Sequence, residues 1–255
     1  MLVQERHDKI LESLRINKVV KVLEIVKKFN VSVETVRRDL EFLEKQGLLK
    51  RVYGGAVLSN TRSIEPTYSS REVQNLDEKK AIGKKAAELI EDGDTVLLDL
   101  GTTTLEVAKN LKSKHNITIL TNSIKIALEL VDIPDNRVIL LGGELRQNEL
   151  STSGFLTDIN LKQFCVDKAI IGVGGITIEN GVTDYHMQEA QARRLMIDVA
   201  EKVIAVTDFS KFGVNAFMHV CALKRIETIV TDWKVHPKIV QQLREQDIQV
   251  LIAEK

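Results

Sequence analysis

Three consecutive threonines after a glycine, Gly101–Thr102–Thr103–Thr104, follow the apolar run Thr95–Leu98 and lead into a helical pattern, EVAKNLK. Glycine lets a backbone approach a ligand closely, and hydroxyls beside the free N–H groups of a helix N-terminus can cradle a phosphate. Threonines also serve as N-caps, but three in a row exceed what capping requires. Further polar or glycine residues end other apolar runs: Thr121–Asn122, Gly142–Gly143 with Arg146, Gly172–Gly174–Gly175, and Asp208 with Lys211. Ligands of open parallel sheets bind outside the carboxyl ends of the strands, so these positions are expected to converge on one crevice. There Lys211 would offer a cation to a phosphate or other ligand oxygen, although a solvated lysine after a turn is equally consistent. Asp99 is a candidate for ligand hydroxyls, with Glu189 a lesser one. Gly142 and Gly143 also fit a plain turn.

A second chemistry sits near the N-terminus. Val33, Val36, Leu40 and Leu43 recur at helical spacing after Ser32, a good N-cap, and Gly47 is expected to end that helix. At about 100° per residue, Arg38 points away from this apolar sector, flanked by Glu34, Thr35 and Lys45, while Arg37 lies to one side. A projecting arginine can fork onto guanine in the major groove, and Thr35 lies in the first turn, where such helices approach base edges. The alternative is that both arginines are surface charges pairing with Glu34, Asp39 or Glu41.

The elements that must position these residues are legible as two domains. Residues 1–57 read as three helices, with cores at Ile10, Leu11, Leu14, then Leu23, Val26, Phe29, then the helix above. A small hairpin of two short strands around a glycine turn follows, completing a winged helix-turn-helix. Residues 58–76 lack periodicity and read as a linker. Residues 77–255 alternate helical patterns with apolar runs at 95–100, 117–121, 137–141, 168–173, 202–207, 227–231 and 248–252. A mostly parallel sheet with helices on both faces is the economical α/β fold.

The chain of 255 residues has a net charge of zero, but residues 1–57 hold 12 Lys and Arg against 8 Asp and Glu, and the rest holds 24 against 28. Affinity for phosphate backbones is thus expected at the N-terminal end. No apolar run approaches the roughly 20 residues of a membrane span. The N-terminus is charged from its fifth residue, unlike a signal peptide, and Cys165 and Cys221 lie in apolar stretches without metal-ligand spacing. Buried free thiols and a cytoplasmic location are expected. The five histidines show no zinc or nucleophile spacing, although His186 could touch a ligand, and Trp233 is expected to pack. No metal or cofactor is expected.

The run VSVETVRRDLEFLEKQGLLKRVYGGAV resembles the DNA-binding signature of the DeoR family of bacterial sugar regulators, and DLGTTT, LTNS, LGGELR, GVGGIT and DFSKFG resemble its effector domain in order. The resemblance covers the whole chain. It implies that Ser32, Thr35, Arg37 and Arg38 face the major groove, with Arg51, Tyr53 and Gly54 on the wing near the backbone. It implies a transcriptional repressor of carbohydrate catabolism, acting as a homodimer or homotetramer on double-stranded operator DNA. A sugar phosphate is the implied effector, held by Asp99, Gly101, Thr102, Thr103, Thr104, Thr121, Asn122, Gly142, Gly143, Arg146, Gly174, Glu189 and Lys211.

The second domain is also similar to ribose-5-phosphate isomerase, which raises an alternative: an active aldose–ketose isomerase carrying a DNA-binding extension. Those enzymes place acids where this chain has Ile171–Gly172–Val173–Gly174–Gly175, and a glutamate where it has Arg193. Arginine cannot serve as the carboxylate base that proton abstraction beside a carbonyl needs, so no enzyme is expected. A third reading, a constitutive DNA-binding protein whose second domain only oligomerises, leaves the Gly101–Thr104 loop unexplained.

Overall fold

The computed structural model describes residues 3–17, 19–45, 48–58 and 65–255, so Gly47 and most of the upstream half of the expected linker lie outside it. Two compact units divide the chain, Met1–Ser70 and Arg71–Lys255.

In the first unit, α1 (Val3–Asn17), β1 (Val19–Lys21), α2 (Val22–Phe29), α3 (Val33–Lys45), β2 (Leu49–Val52) and β3 (Gly55–Leu58) follow in order. The strands form an antiparallel sheet ordered β1-β3-β2. β1 was not expected, because three residues between helices carry no readable period. It explains Gly55: a Cβ there would stand 2.0 Å from the Val20 carbonyl oxygen. Gly54, at φ +79°, turns the wing. The core gathers Ile10, Leu11, Leu14, Val20, Ile25, Val36, Leu40, Leu43, Leu49 and Ala56. Two expected core residues are instead on the surface. Leu23 is exposed, with Ile25 buried in its place, and Val33 is 37% exposed at the start of α3.

In the second unit, the stretch read as linker already contains helix α4 (Tyr68–Val73), which spans the boundary in sequence, and α5 (Leu76–Ala87) begins at its end. The runs expected as strands become β4 (Thr95–Leu98), β5 (Thr118–Thr121), β6 (Arg137–Leu140), β9 (Val166–Gly172), β12 (Ala200–Val206), β14 (Thr228–Asp232) and β15 (Gln249–Ala253). They form one sheet ordered β15-β14-β12-β9-β4-β5-β6, parallel at every pairing. Strand period 2 splits their side chains between two cores. Val96 and Leu98 join α5, α6 (Thr102–Asn110) and α7 (Ile124–Leu130) on one face. Leu97 joins α8 (Phe155–Leu161), α9 (Met187–Val199) and α10 (Pro237–Arg244) on the other. Helices on both faces make every strand largely apolar.

Short strands add two features the periodicity did not show: a hairpin of β7 (Glu144–Arg146) and β8 (Ser151–Ser153), and an antiparallel sheet of β10 (Gly175–Thr177), β11 (Gly181–Asp184) and β13 (Met218–Cys221). Cys221 is buried, which pushes its thiol up to about 11. Cys165, expected to be buried, is exposed in the turn before β9. Trp233 lines a groove with Val235 and Val240. Among the described residues, no helix is long and apolar enough to cross a membrane, and no cluster of His, Cys, Asp or Glu is arranged to hold a metal ion.

Candidate functional site

The N-terminal site is built on α3. Ser32 caps it: the Thr35 N–H donates to Ser32 Oγ at 3.1 Å, and the two hydroxyls bond each other at 2.8 Å. The helix's roll is set by a residue that looked exposed in the sequence. Asp39 is buried and accepts from Arg6 Nε at 2.5 Å and Nη2 at 2.9 Å, while its Oδ1 lies 2.9 Å from His7 Nε2. Burial pushes this carboxyl up, but the Arg6 and His7 hydrogen bonds outweigh it and hold it below the ordinary range. With Asp39 tied to α1, its neighbour Arg38 faces outward, its side chain 79% exposed and 3.8 Å from Glu34. Arg37 lines a groove of about 610 Å³ with Lys21, Val33, Arg51, Tyr53 and Gly54. Arg51 is held from below: its Nε and N–H donate to Glu44 at 2.7 and 2.8 Å. Tyr53 is exposed at the tip of the wing. Exposed Leu23 and Val33 lie in this same groove, so their apolar character belongs to a surface rather than the core.

The second site lies where the parallel strands end. β4 runs into Asp99, Leu100 and Gly101, and Gly101, at φ +147°, precedes α6. No side chain caps that helix, so its first amides point outward without intrahelical partners. Thr102 and Thr104 are buried, and Thr104 Oγ1 donates back to the Gly101 carbonyl at 3.0 Å, leaving Thr103 half-buried. Asn122 fixes the loop from beside it, accepting from the Leu100 N–H at 3.1 Å and donating to the Thr152 carbonyl at 3.3 Å. Thr121 accepts from the Ser123 N–H, so it shapes the start of α7.

Asp99, 1% exposed, is committed to the protein: it accepts from Arg193 Nε at 2.6 Å and from the Gly172 N–H at 3.1 Å. Burial pushes its carboxyl up, against the pull of the Arg193 guanidinium. Arg193 also pairs with Asp184. Arg146 and Glu189, two expected site residues, meet each other at 2.6 Å. Arg146 lines a cleft of about 320 Å³ with Glu144, Gln147, Asn148, His186 and Gln188. Gly143 is there for close approach, since a Cβ would stand 2.0 Å from Thr157 Oγ1, and the Gly142 carbonyl accepts from that hydroxyl at 2.8 Å. Gly174 likewise packs on Asp184, its N–H donating to the Thr183 carbonyl.

Lys211 ends the turn after β12 and does not stand alone. Lys79, in the first turn of α5, is only 4% exposed. It feels Lys211, Arg71, Asp208 and Glu106 electrostatically, and burial lowers its pKa to about 8. Its ammonium donates to the carbonyls of Arg71 and of Gln74, the latter at 2.7 Å. Helix α5 packs on α6, with Gly83 against the Glu106 backbone, so Lys79 stands one turn from that contact. Nothing in residue type or spacing sets Lys79 apart from Lys80, Lys84 and Lys85. Only the packing distinguishes it.

Two family profiles match this arrangement: the DeoR-like helix-turn-helix domain over residues 6–62 and the DeoR C terminal sensor domain over residues 74–233. The HTH-type transcriptional regulator YulB of Bacillus subtilis is 36% identical over 250 residues, covering 98% of this chain and 96% of its own. The glycerol-3-phosphate regulon repressor of Escherichia coli is 34% identical over 246 residues, covering 96% and 97%. A D-ribose-5-phosphate isomerase solved with phospho-erythronic acid aligns over 54% of each chain, at 18% identity and a TM-score of 0.41. The protein is a two-part regulator with a DNA-reading unit and a sensor unit. It belongs to the DeoR family of transcriptional regulators.

Proposed function

We propose that this protein is a cytoplasmic repressor of a carbohydrate-catabolism operon that leaves its operator when a sugar phosphate binds the sensor unit. The observation that carries this reading is an uncapped α6 N-terminus, Gly101 through Thr104, at the same end of the sheet as the cations of Lys79 and Lys211. Helix amides and ammonium groups together suit a phosphate dianion. Residues 1–57 form the DNA-reading domain and 77–255 the sensing domain. Ser32, Thr35, Arg37 and Arg38 meet the major groove, while Arg51, Tyr53 and Gly54 follow the backbone. Thr102 and Thr103 hold the phosphate, and the polar groups of Arg146 and Glu189 face the rest of the effector. Asp99, Thr121, Asn122, Gly142, Gly143 and Gly174 shape the pocket from behind. The repressor named for the glycerol-3-phosphate regulon supports a phosphorylated effector.

Isomerase chemistry finds no base here. The carboxylates of Asp99 and Asp184 are both paired with the Arg193 guanidinium. The test is calorimetry of the full chain with glycerol 3-phosphate, ribose 5-phosphate and glucose 6-phosphate, beside the unphosphorylated compounds. It is repeated with Thr102→Val and with a duplex selected by the protein from a random pool. One phosphate ester should bind and weaken DNA affinity by about 5- to 150-fold. Equal binding by Thr102→Val would remove the pocket, and a rise in DNA affinity would reverse the sign of regulation.

A further inference from the structure

The segment Arg71–Asn75, the end of α4 and the two residues that join it to α5, is tied down at nearly every residue by side chains from four different elements. Arg71 Nη2 donates to Glu149 Oε2 at 2.5 Å, with Glu149 almost wholly buried in the turn between β7 and β8. The Arg71 and Gln74 carbonyls accept from Lys79 of α5. Glu72 pairs with Lys125 of α7 at 3.2 Å. Asn75 Nδ2 donates to Asp208 Oδ1, just past β12, at 2.8 Å. Every one of these anchors stands at the carboxyl end of the parallel sheet.

Two of the anchors belong to places where an anionic ligand would act. Glu149 directly follows Gln147 and Asn148, which line the cleft beside Arg146, and Leu150 after it holds a left-handed φ of +49°. That conformation is sterically costly for a leucine and persists only where the surroundings enforce it. The turn is therefore a constrained one, and a shift at Gln147 or Asn148 has to be passed on to Glu149. Lys79 is the buried ammonium beside Lys211. A phosphate arriving at the α6 N-terminus would compete with the Arg71 and Gln74 carbonyls for its three donors.

We propose that Arg71–Asn75 is the output strap of the sensor, latched by the Glu149–Arg71 pair and by Lys79, and that effector binding releases this latch. This rests on the effector reading above. The strap begins in α4, which in sequence joins the sensor to the DNA-reading unit. In this proposal the closed latch, as the Arg71–Glu149 and Lys79 contacts hold it, is the DNA-binding state. Ligand can shift that equilibrium only through contacts that differ between the two states, and the ammonium of Lys79 and the cleft turn supply them.

The experiment uses full-length Glu149→Gln, Arg71→Lys, and the exchanged pair Arg71→Glu with Glu149→Arg. Each is measured for thermal unfolding, for binding of whichever phosphate ester of the panel binds the parent, and for affinity to the selected duplex with and without that ester. Glu149→Gln should bind the ester within about threefold of the parent, bind DNA about tenfold more weakly without it, and show a ligand effect of less than about threefold, within the range of coupling such switches display. The exchanged pair should recover part of the ligand effect. Should Glu149→Gln unfold, Arg71→Lys, which keeps the charge and loses the guanidinium that reaches Glu149, should show the same loss of coupling. If either folded variant keeps the parent's fold-change on DNA affinity, whether or not its basal affinity falls, the pair is a structural brace and the strap is not the output. A parent whose DNA affinity ignores every ester overturns the effector reading itself, and the latch with it.

Discussion

Arg38 and Val36 stand two positions apart on α3 and face opposite ways, which separates reading from folding at the level of single side chains. Arg38→Ala removes an exposed guanidinium that stands 3.8 Å from Glu34. It should abolish selective duplex binding, since a bidentate base contact is worth roughly 1–3 kcal/mol and a symmetric dimer makes it twice, while the melting curve stays unchanged. Val36 is fully buried, and Val36→Ala should destabilise the first unit by about 1–3 kcal/mol in a denaturant titration. A gel-shift affinity unaltered by Arg38→Ala would put the reading face elsewhere. Lys79 gives the sensor a pH signature. Burial lowers its pKa from 10.5 to about 8. Below about pH 8 the folded and unfolded chains both carry this proton, so the cost of burying the charge is present in full. Between about 8 and 10.5 the unfolded chain holds a proton the folded one has released, so this group makes stability rise with pH. Affinity for a phosphate ester should run the other way, weakening above about pH 8 by at most about tenfold per unit. Calorimetry at pH 8.5 in two buffers of different ionisation enthalpy should detect proton uptake on binding, and Lys79→Met should abolish it.

The strands of the parallel sheet are legible in the sequence, and the physical reason is visible in β4. Val96 and Leu98 serve one core and Leu97 the other, so the strand reads as an apolar run, as do the central residues of the other six strands of its sheet. The three- and four-residue strands β1, β7, β8, β10, β11 and β13 have neither a run nor a period, and all of them escaped notice. Partnerships distant in sequence were equally hidden. Nothing near Asp39 announces Arg6, 33 positions away, and nothing near Arg71 announces Glu149, 78 positions away. The Gly101–Thr104 loop was legible because a strand, a glycine and a helix start are adjacent in sequence; Lys79 was not, because its burial depends on how α5 meets α6. That meeting is testable. A Cβ on Gly83 would lie 2.5 Å from the Glu106 carbonyl carbon and 2.6 Å from its oxygen, both backbone atoms that cannot swing aside. Gly83→Ala should therefore push the helices apart, at a cost of roughly 1–3 kcal/mol from overpacking. Because Lys79 and Thr102 sit one turn away on the two helices, ester affinity should fall with it. A variant as stable as the parent, with unchanged ester binding, would show that the helices have room to slide.

Across the whole molecule the charges cancel, yet residues 1–57 carry 12 Lys and Arg against 8 Asp and Glu. Several of the basic residues are engaged: Arg6 is consumed by Asp39, Arg51 by Glu44 and Lys45 by Glu41. One such unit holds few cations for phosphates and a short reading helix. Specific sites must compete with roughly 10⁶–10⁹ others in a genome, which one small module making a few base contacts does not achieve. Two copies bound to half-sites about one helical turn apart double both the base contacts and the phosphate contacts. The full chain should therefore sediment at no less than twice its 28.7 kDa at micromolar concentration. It should also protect a two-part site on the selected duplex. Its affinity should drop steeply with salt, because each neutralised phosphate adds about 0.9 to the slope of log K against log salt. Halving the duplex to one half-site should roughly halve that slope, because half of the phosphate contacts are lost. A monomer that binds a single half-site tightly, with a salt slope no smaller than on the complete site, would break this account of how so modest a surface selects its DNA.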